Sequence, residues 1–272
     1  MKFRVLVLTL LCFGPVGCST VDRKSAPSLG ARAHDSAALR VGTYNVYVGN
    51  RDSGKTAAVI QRMDADVIAL QEVLPGAAPG LSRCLSQKYK YRHFDGGLGI
   101  ASRFPLRNLR FHSSRRGING FLFGEIELPG GRVQIANLHL DPLHTWTLGD
   151  RLLLPVQLWR QRAIHRDEVE QVFENLRPEL PTILLGDFNR VSDTAIDRLR
   201  ELGFTDSFAT VTPRADRIPT IRFSIVGFPV GRRIDFIFHD NAFRTTGSAL
   251  FSGRPSDHEA LVSTLHRNGG KK

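Results

Sequence analysis

The sequence predicts a mixed α/β domain in which two stacked β-sheets are flanked by helices. From Leu39 onward, short apolar runs alternate with amphipathic stretches. The turn Pro129-Gly130-Gly131 between two apolar runs marks a hairpin, which excludes a purely parallel sheet. The chain has 272 residues, 42% hydrophobic and 23% charged, enough for one large core or two small ones, and this composition excludes disorder as the main state. Many short strands with early and late helices suit stacked sheets, and no repeat of fixed period occurs.

Short apolar runs of strand length fall at residues 40–46, 67–70, 99–102, 121–128, 133–140, 182–185, 221–226, 234–238 and 260–265. Longer amphipathic stretches at 55–63, 80–88, 156–176 and 194–202 predict helices. The runs 121–128 and 133–140 are the two arms of the hairpin.

Residues 1–17 have the three parts of a secretory signal: Lys2 and Arg4, an apolar stretch over 5–13, and small residues before Cys18. The apolar run 5–16 is shorter than the roughly 20 residues of a membrane span, which excludes a polytopic membrane protein. Val16-Gly17-Cys18 resembles the end of a bacterial lipobox, with Pro15 where that motif usually has Leu. The expectation is an exported protein of the bacterial periplasm or outer membrane, lipid-anchored at Cys18; the alternative is a buried N-terminal element of a cytosolic protein. Residues 18–38, rich in Ser, Ala, Pro, Gly and Arg, predict a flexible tether, and 39–267 the folded domain. Cys12 and Cys18 lie in the leader region, so Cys84 is left without a disulfide partner and is expected as a small buried hydrophobe.

Polar residues gather at the ends of the apolar runs. Asn45 ends the first and Glu72 the second; His139 and Asp141 close the hairpin; Asp187 and Asn189 follow Ile183-Leu184-Leu185. Asp235 lies within Arg233-Ile234-Asp235-Phe236, and Asp257-His258 precede the last run. One such residue is ordinary turn chemistry. Nine together predict one cleft at a common sheet rim.

Thr43-Tyr44-Asn45-Val46, Gln71-Glu72-Val73, Gly99-Ile100-Ala101-Ser102-Arg103-Phe104-Pro105, Asn137-Leu138-His139-Leu140-Asp141, Gly186-Asp187-Phe188-Asn189, Arg233-Ile234-Asp235-Phe236 and Ser256-Asp257-His258 resemble, in order, the motifs of the endonuclease/exonuclease/phosphatase superfamily with its deoxyribonuclease-I-like fold. The resemblance covers residues 40–265 and implies a four-layer αββα sandwich and divalent-metal-dependent cleavage of phosphate esters. It implies Glu72 as principal metal ligand, Asn45 and Asp257 completing or orienting the shell, and magnesium, with manganese as a substitute, as the ion. Magnesium takes oxygen ligands, often only one or two protein carboxylates. Asp187 would position or deprotonate the attacking water, Asn189 bind the phosphate, and His139 serve the leaving group or the transition-state phosphorane. His258 with Asp235 would form a base or phosphate-contacting dyad, the carboxylate fixing the imidazole tautomer. The alternative for Asp235 is a buried carboxylate satisfied by Arg232 or Arg233. Asp141 is either a turn former or a support, and His93, His112, His144, His165 and His239 match no family position.

The chain carries 37 Lys and Arg against 26 acidic residues, a net charge of +11. A polyanionic partner and an ordinary solvated basic surface both fit. Basic loops with interleaved Phe104 and Phe111 over 103–116, and an Arg-rich segment over 210–233, suit a nucleic-acid backbone, with Arg103, Arg115, Arg116 and Arg232 as substrate contacts. A third candidate loop spans 142–155. Against a nuclease stands the apolar IRFSIVGFPV at 221–230, expected as a buried strand, with a lipid-contacting hairpin as the alternative. The leading expectation is a monomeric nuclease acting on DNA with no protein partner. A lipid or small-molecule phosphodiesterase or phosphatase stands second, and a non-catalytic binding module third.

Overall fold

In the computed structural model, residues 38–143, 153–225, 228–253 and 255–268 are described. The expected signal, the Cys18 anchor, nearly all of the tether and His144 lie outside them. The chain runs β1 (Ala38–Asn45), α1 (Ser53–Met63), β2 (Val67–Gln71), α2 (Ala78–Leu85), β3 (Tyr91–Asp95), β4 (Leu98–Ser102), β5 (Leu106–Ser113), β6 (Gly120–Leu128) and β7 (Gly131–His139). There follow α3 (Leu154–Glu174), β8 (Thr182–Asp187), α4 (Thr194–Glu201), β9 (Thr205–Asp206), α5 (Ser207–Val211), β10 (Ile221–Ile225), β11 (Phe228–Arg232), β12 (Asp235–His239), β13 (Phe243–Phe251) and β14 (Ala260–Arg267).

Two six-stranded sheets form, in the orders β13-β14-β1-β2-β4-β3 and β5-β6-β7-β8-β12-β9. Each has one parallel pair at its centre, β1 with β2 and β7 with β8, among antiparallel neighbours. The period of two along each strand explains the layers. In β2, Val67 and Ala69 join Val41, Ile135, Leu185 and Ile237 in the core between the sheets. Ile68 and Leu70 face the other way, onto Ala57, Ile60, Leu81 and Leu85 of α1 and α2. In the second sheet Leu184, Phe236 and Phe238 meet Val169, Val172, Ile196 and Leu199 of α3 and α4. Strands buried on both faces read as continuous apolar runs. The result is the four-layer αββα sandwich. Among the described residues no helix is long and apolar enough to cross a membrane.

The hairpin forms as expected, with Leu128 opposite Gly131. Three expectations change. Residues 106–113, expected within a basic loop, form the edge strand β5; a register shift between Arg107 and Arg110 breaks its alternation, and such bulges protect exposed edges. The stretch 221–230 joins neither six-stranded sheet: its described residues 221–225 and 228–230 lie in the separate antiparallel pair β10–β11, with Ile221 opposite Arg232. Cys84 is exposed, because Leu81 and Leu85, four residues apart, take the buried stripe of α2.

Candidate active site

The register brings the polar strand ends to one rim. His139 is opposite Asp187 across the parallel pair, and Asp187 is opposite Asp235 across the antiparallel one. In the other sheet Asn45 ends β1 opposite Gln71, so Glu72 is the first residue past β2. The antiparallel β14 pairs Thr43 with Leu261, which delivers the preceding His258 to the same end. Backbone geometry sharpens the placement: Tyr47, Glu72 and Asn189 hold left-handed φ values of 66°, 60° and 43°. Such conformations are uncommon for residues other than Gly and cost about 1 kcal/mol or more, so surrounding contacts must enforce them.

Asn45 joins the sheets. Its Nδ2 donates to Glu72 Oε1 at 2.9 Å and to Asp187 Oδ2 at 3.0 Å, while its Oδ1 accepts from Tyr47 N at 3.0 Å. Glu72 Oε2 accepts from Val48 N at 2.6 Å. Asp187 Oδ1 accepts from Asn189 N at 2.8 Å. His139 Nε2 and His258 Nε2 lie 3.7 Å and 3.8 Å from Asp187 Oδ2. Behind His258, its Nδ1 donates to Asp235 Oδ2 at 3.0 Å, and Thr220 Oγ1 accepts from Asp235 N at 3.0 Å.

Desolvation alone would depress His258, but the charge and hydrogen bond of Asp235 outweigh it and push its pKa up to about 10. His258 is therefore an imidazolium at neutral pH and presents an N–H to the cleft. Burial raises Asp235, and His258 opposes that rise. Asp257 stands at the open mouth, its carboxyl raised by burial and then by the nearby charges of Glu72 and Asp187, against the pull of His258. Four acidic groups thus share a site with one firm cation. Glu72, His139 and Asp187 each offer a donor atom within 4.8 Å of the others. This oxygen-rich, negative set fits a hard divalent ion held chiefly by the two carboxylates. Both ends of the Asn45 amide are engaged, its Nδ2 orienting the two carboxylates while its Oδ1 keeps a second lone pair.

The model of the Endonuclease/Exonuclease/phosphatase family matches residues 42–258. The chain belongs to this family. Its enzymes are phosphoesterase hydrolases and generally use divalent metals. No curated protein matches the sequence. Similar solved structures include a family member from Beutenbergia cavernae, 18% identical over 86% of this chain and 72% of that one, with TM-score 0.65. D. rerio TDP2, complexed with single strand DNA product, is 16% identical over 85% and 99%, with TM-score 0.66. Sphingomyelinase C from Streptomyces griseocarneus is 16% identical over 84% and 99%, with TM-score 0.59. At these identities the likeness shows the fold alone.

Within the family frame, the structure gathers Asn45, Glu72, His139, Asp187, Asn189, Asp235, Asp257 and His258. Arg232 lies close, its Nη2 donating to Val191 O at 3.4 Å. Arg103 does not join them. It follows β4 at the opposite rim, where it pairs with Asp66 at 2.8 Å and Asp64 at 2.6 Å, residues that precede β2. Arg115 is likewise held in an ion pair with Glu174 of α3. Only Arg116 of that pair faces open solvent without an acidic partner among the described residues. Arg233 pairs with Asp206 at 2.5 Å, not with Asp235.

Sequence reasoning left three supporting groups unassigned. Gln71 Nε2 donates to Asn137 Oδ1 at 2.7 Å, and Asn137 Nδ2 to Leu70 O at 2.9 Å, tying the sheets together directly beneath the site. Ser256 Oγ donates to Asn45 O at 2.7 Å and accepts from His258 N. His165 and Gln161 both contact Asp141 O, at 2.8 Å and 3.0 Å, and Glu168 accepts from Asp141 N at 3.1 Å. Asp141 is thus a buried support: its Oδ1 accepts from Ile118 N at 2.9 Å. Gln71, Asn137 and Ser256 all sit inside the quoted motifs, which was the available signal.

Proposed function

We propose that the chain is a divalent-metal-dependent phosphodiesterase, a nuclease cleaving DNA, exported and anchored through Cys18. The observation that carries the phosphodiesterase reading is the ring around Asp187 Oδ2: Asn45 at 3.0 Å, His139 at 3.7 Å and His258 at 3.8 Å, with Glu72 on the same amide. Magnesium, or manganese in its place, would be held by Glu72 and Asp187 with Asp257 at the mouth, and would polarise the phosphoryl oxygen. Asp187 is placed to accept a proton from the attacking water, since Asn45 and Asn189 N fix its carboxylate. The His258 imidazolium donates to a phosphate oxygen, and Asp235 keeps it charged and oriented. His139 Nε2 lies on the other side of Asp187 Oδ2, at hand for the departing oxygen. One Asn189 amide hydrogen is committed to Leu140 O at 2.8 Å, leaving the second for the phosphate.

The net charge of +11 beside an acidic catalytic cluster supports a polyanionic substrate. One observation favours the second reading, a lipid or small-molecule phosphodiesterase or phosphatase, sphingomyelinase-like or inositol-phosphatase-like: Ile221 of the apolar hairpin forms a bridge with His258. A panel of plasmid DNA, RNA, sphingomyelin and a phosphomonoester, each with magnesium and with chelator, decides between them. DNA cleavage abolished by chelator is expected. Turnover of lipid headgroups with no cleavage of nucleic acid refutes the nuclease and leaves the metal site standing.

A further inference from the structure

A cleft of about 590 Å³ opens between α3, the loop at Arg116 and the start of α4, lined by Arg116, Trp159, Arg162, Arg166, Asp167 and Thr194. Trp159, Arg162 and Arg166 stand three and four residues apart, so they form one stripe of the helix. Trp159 is 71% exposed, the most exposed of the large hydrophobic residues described. Exposing an indole in this way marks a contact surface.

The charges in the cleft differ from those elsewhere. Arg103, Arg115, Arg177, Arg190, Arg198 and Arg233 are each spent on a carboxylate. Arg116, Arg162 and Arg166 make no side-chain hydrogen bond or ion pair among the described residues. Of the two acids in the wall, Glu170 is neutralised by Arg198 at 2.7 Å. The Oδ2 of Asp167 is buried without a hydrogen-bond partner and is not presented to the cleft. The cleft therefore offers an aromatic face and three free guanidinium groups.

Its walls are tied to the site. Ile118 and Asn119, just past Arg116, bond Asp141 Oδ1 at 2.9 Å and Leu140 O at 3.3 Å, directly after His139. Thr194 opens α4 five residues after Asn189.

We propose that this cleft holds an unpaired nucleotide of the substrate strand next to the scissile phosphate. The base stacks on Trp159, and the flanking phosphates meet Arg116, Arg162 and Arg166. The proposal rests on the nuclease reading and adds a preference for single-stranded or frayed DNA, because a paired base inside a duplex cannot offer its face. The exposed Ile118, Leu153 and Val156 nearby would suit a lipid surface. A concave wall that sets one aromatic face among three unpaired guanidinium groups fits a nucleotide, base and phosphates together, better.

The test measures binding of a fluorescein-labelled oligonucleotide, single-stranded or as a closed hairpin duplex, in chelator so that nothing is cut. The single strand is expected to bind more tightly, and Trp159→Ala to weaken it roughly tenfold or more. In a Trp146→Phe background, titration with the oligonucleotide is expected to quench Trp159 fluorescence. The double change Arg162→Ala with Arg166→Ala should lower the log-log salt slope by about 0.7 per arginine. Val156→Ser, outside the lining, serves as the control and should bind as wild type. Unchanged single-strand affinity in Trp159→Ala overturns the proposal. So does binding to phosphatidylglycerol vesicles that Trp159→Ala and Val156→Ser both abolish while oligonucleotide binding is untouched, which would make the surface a membrane contact. DNA cleavage with normal Trp159→Ala binding removes the subsite and leaves the nuclease; Trp159-dependent binding without cleavage in magnesium or manganese removes the nuclease and leaves the subsite.

Discussion

Glu168 gives a measurable link between α3 and the site. Its Oε2 accepts from Asp141 N, while Oε1 is buried with no hydrogen-bond partner. Burial, opposed by the bond from Asp141, raises its pKa from 4.5 to about 7. In the unfolded chain this carboxyl ionises near its ordinary value, so between those two pH values the folded state binds more protons. Its protonated form favours the fold below pH 4.5, and that contribution is lost as pH rises through about 7. At roughly 1.4 kcal/mol per pH unit, the whole effect is about 3 kcal/mol. Glu168→Gln keeps an acceptor for Asp141 N and removes the titration. Urea unfolding from pH 4 to 8 should therefore show the variant gaining about 3 kcal/mol relative to wild type across the range. Parallel stability curves for the two proteins would refute the assignment of an ionisable, uncompensated Glu168.

Glu72→Gln should cut hydrolysis by two orders of magnitude or more with an unchanged thermal midpoint; near-normal turnover would dismantle the metal site. Asp235→Asn and His258→Ala should each be severe and the double variant little worse, since paired residues act as a unit; multiplicative losses in kcat/KM would separate them. Arg103→Ala should cost about 3 kcal/mol in denaturant unfolding, because Asp66 is left buried beside a lost cation, while kcat of the folded fraction holds. Gly186→Ala should unfold or lose about 3 kcal/mol, as a Cβ there would sit 1.9 Å from Leu138 O; wild-type stability would mean the two parallel strands are spaced wider than described.

The residues that gather at the candidate site were legible because strand ends carry chemistry. Asn45, Glu72, His139, Asp187, Asp235 and His258 each follow, close or precede a run that had to be buried, and the pairing register turned sequence order into one rim. The outer strands were not legible for the same reason in reverse. β3, with four half-buried residues out of five, and β13, with only three buried residues out of nine, carry weak alternation, and β5 hides its pattern behind a bulge. Charge was the poorest guide. Arg103 and Arg115 look alike in sequence, and only three dimensions show that Asp64, Asp66 and Glu174 already claim them.

The fold also explains why the two central carboxylates can be held so close. Glu72 extends one sheet and Asp187 ends a strand of the other, so their separation is set by sheet packing and not by a single loop. Beneath them, the Gln71 and Asn137 hydrogen bonds fix that packing with buried polar groups, which are costly to leave unmade. Above, one Asn45 amide reaches both carboxylates at 2.9 Å and 3.0 Å. Two carboxylates share this one neutral donor, and His258 is already shared with Asp235. The interface between the sheets, and not a surface loop, therefore gathers the acidic groups suited to a divalent cation of the kind this family generally uses.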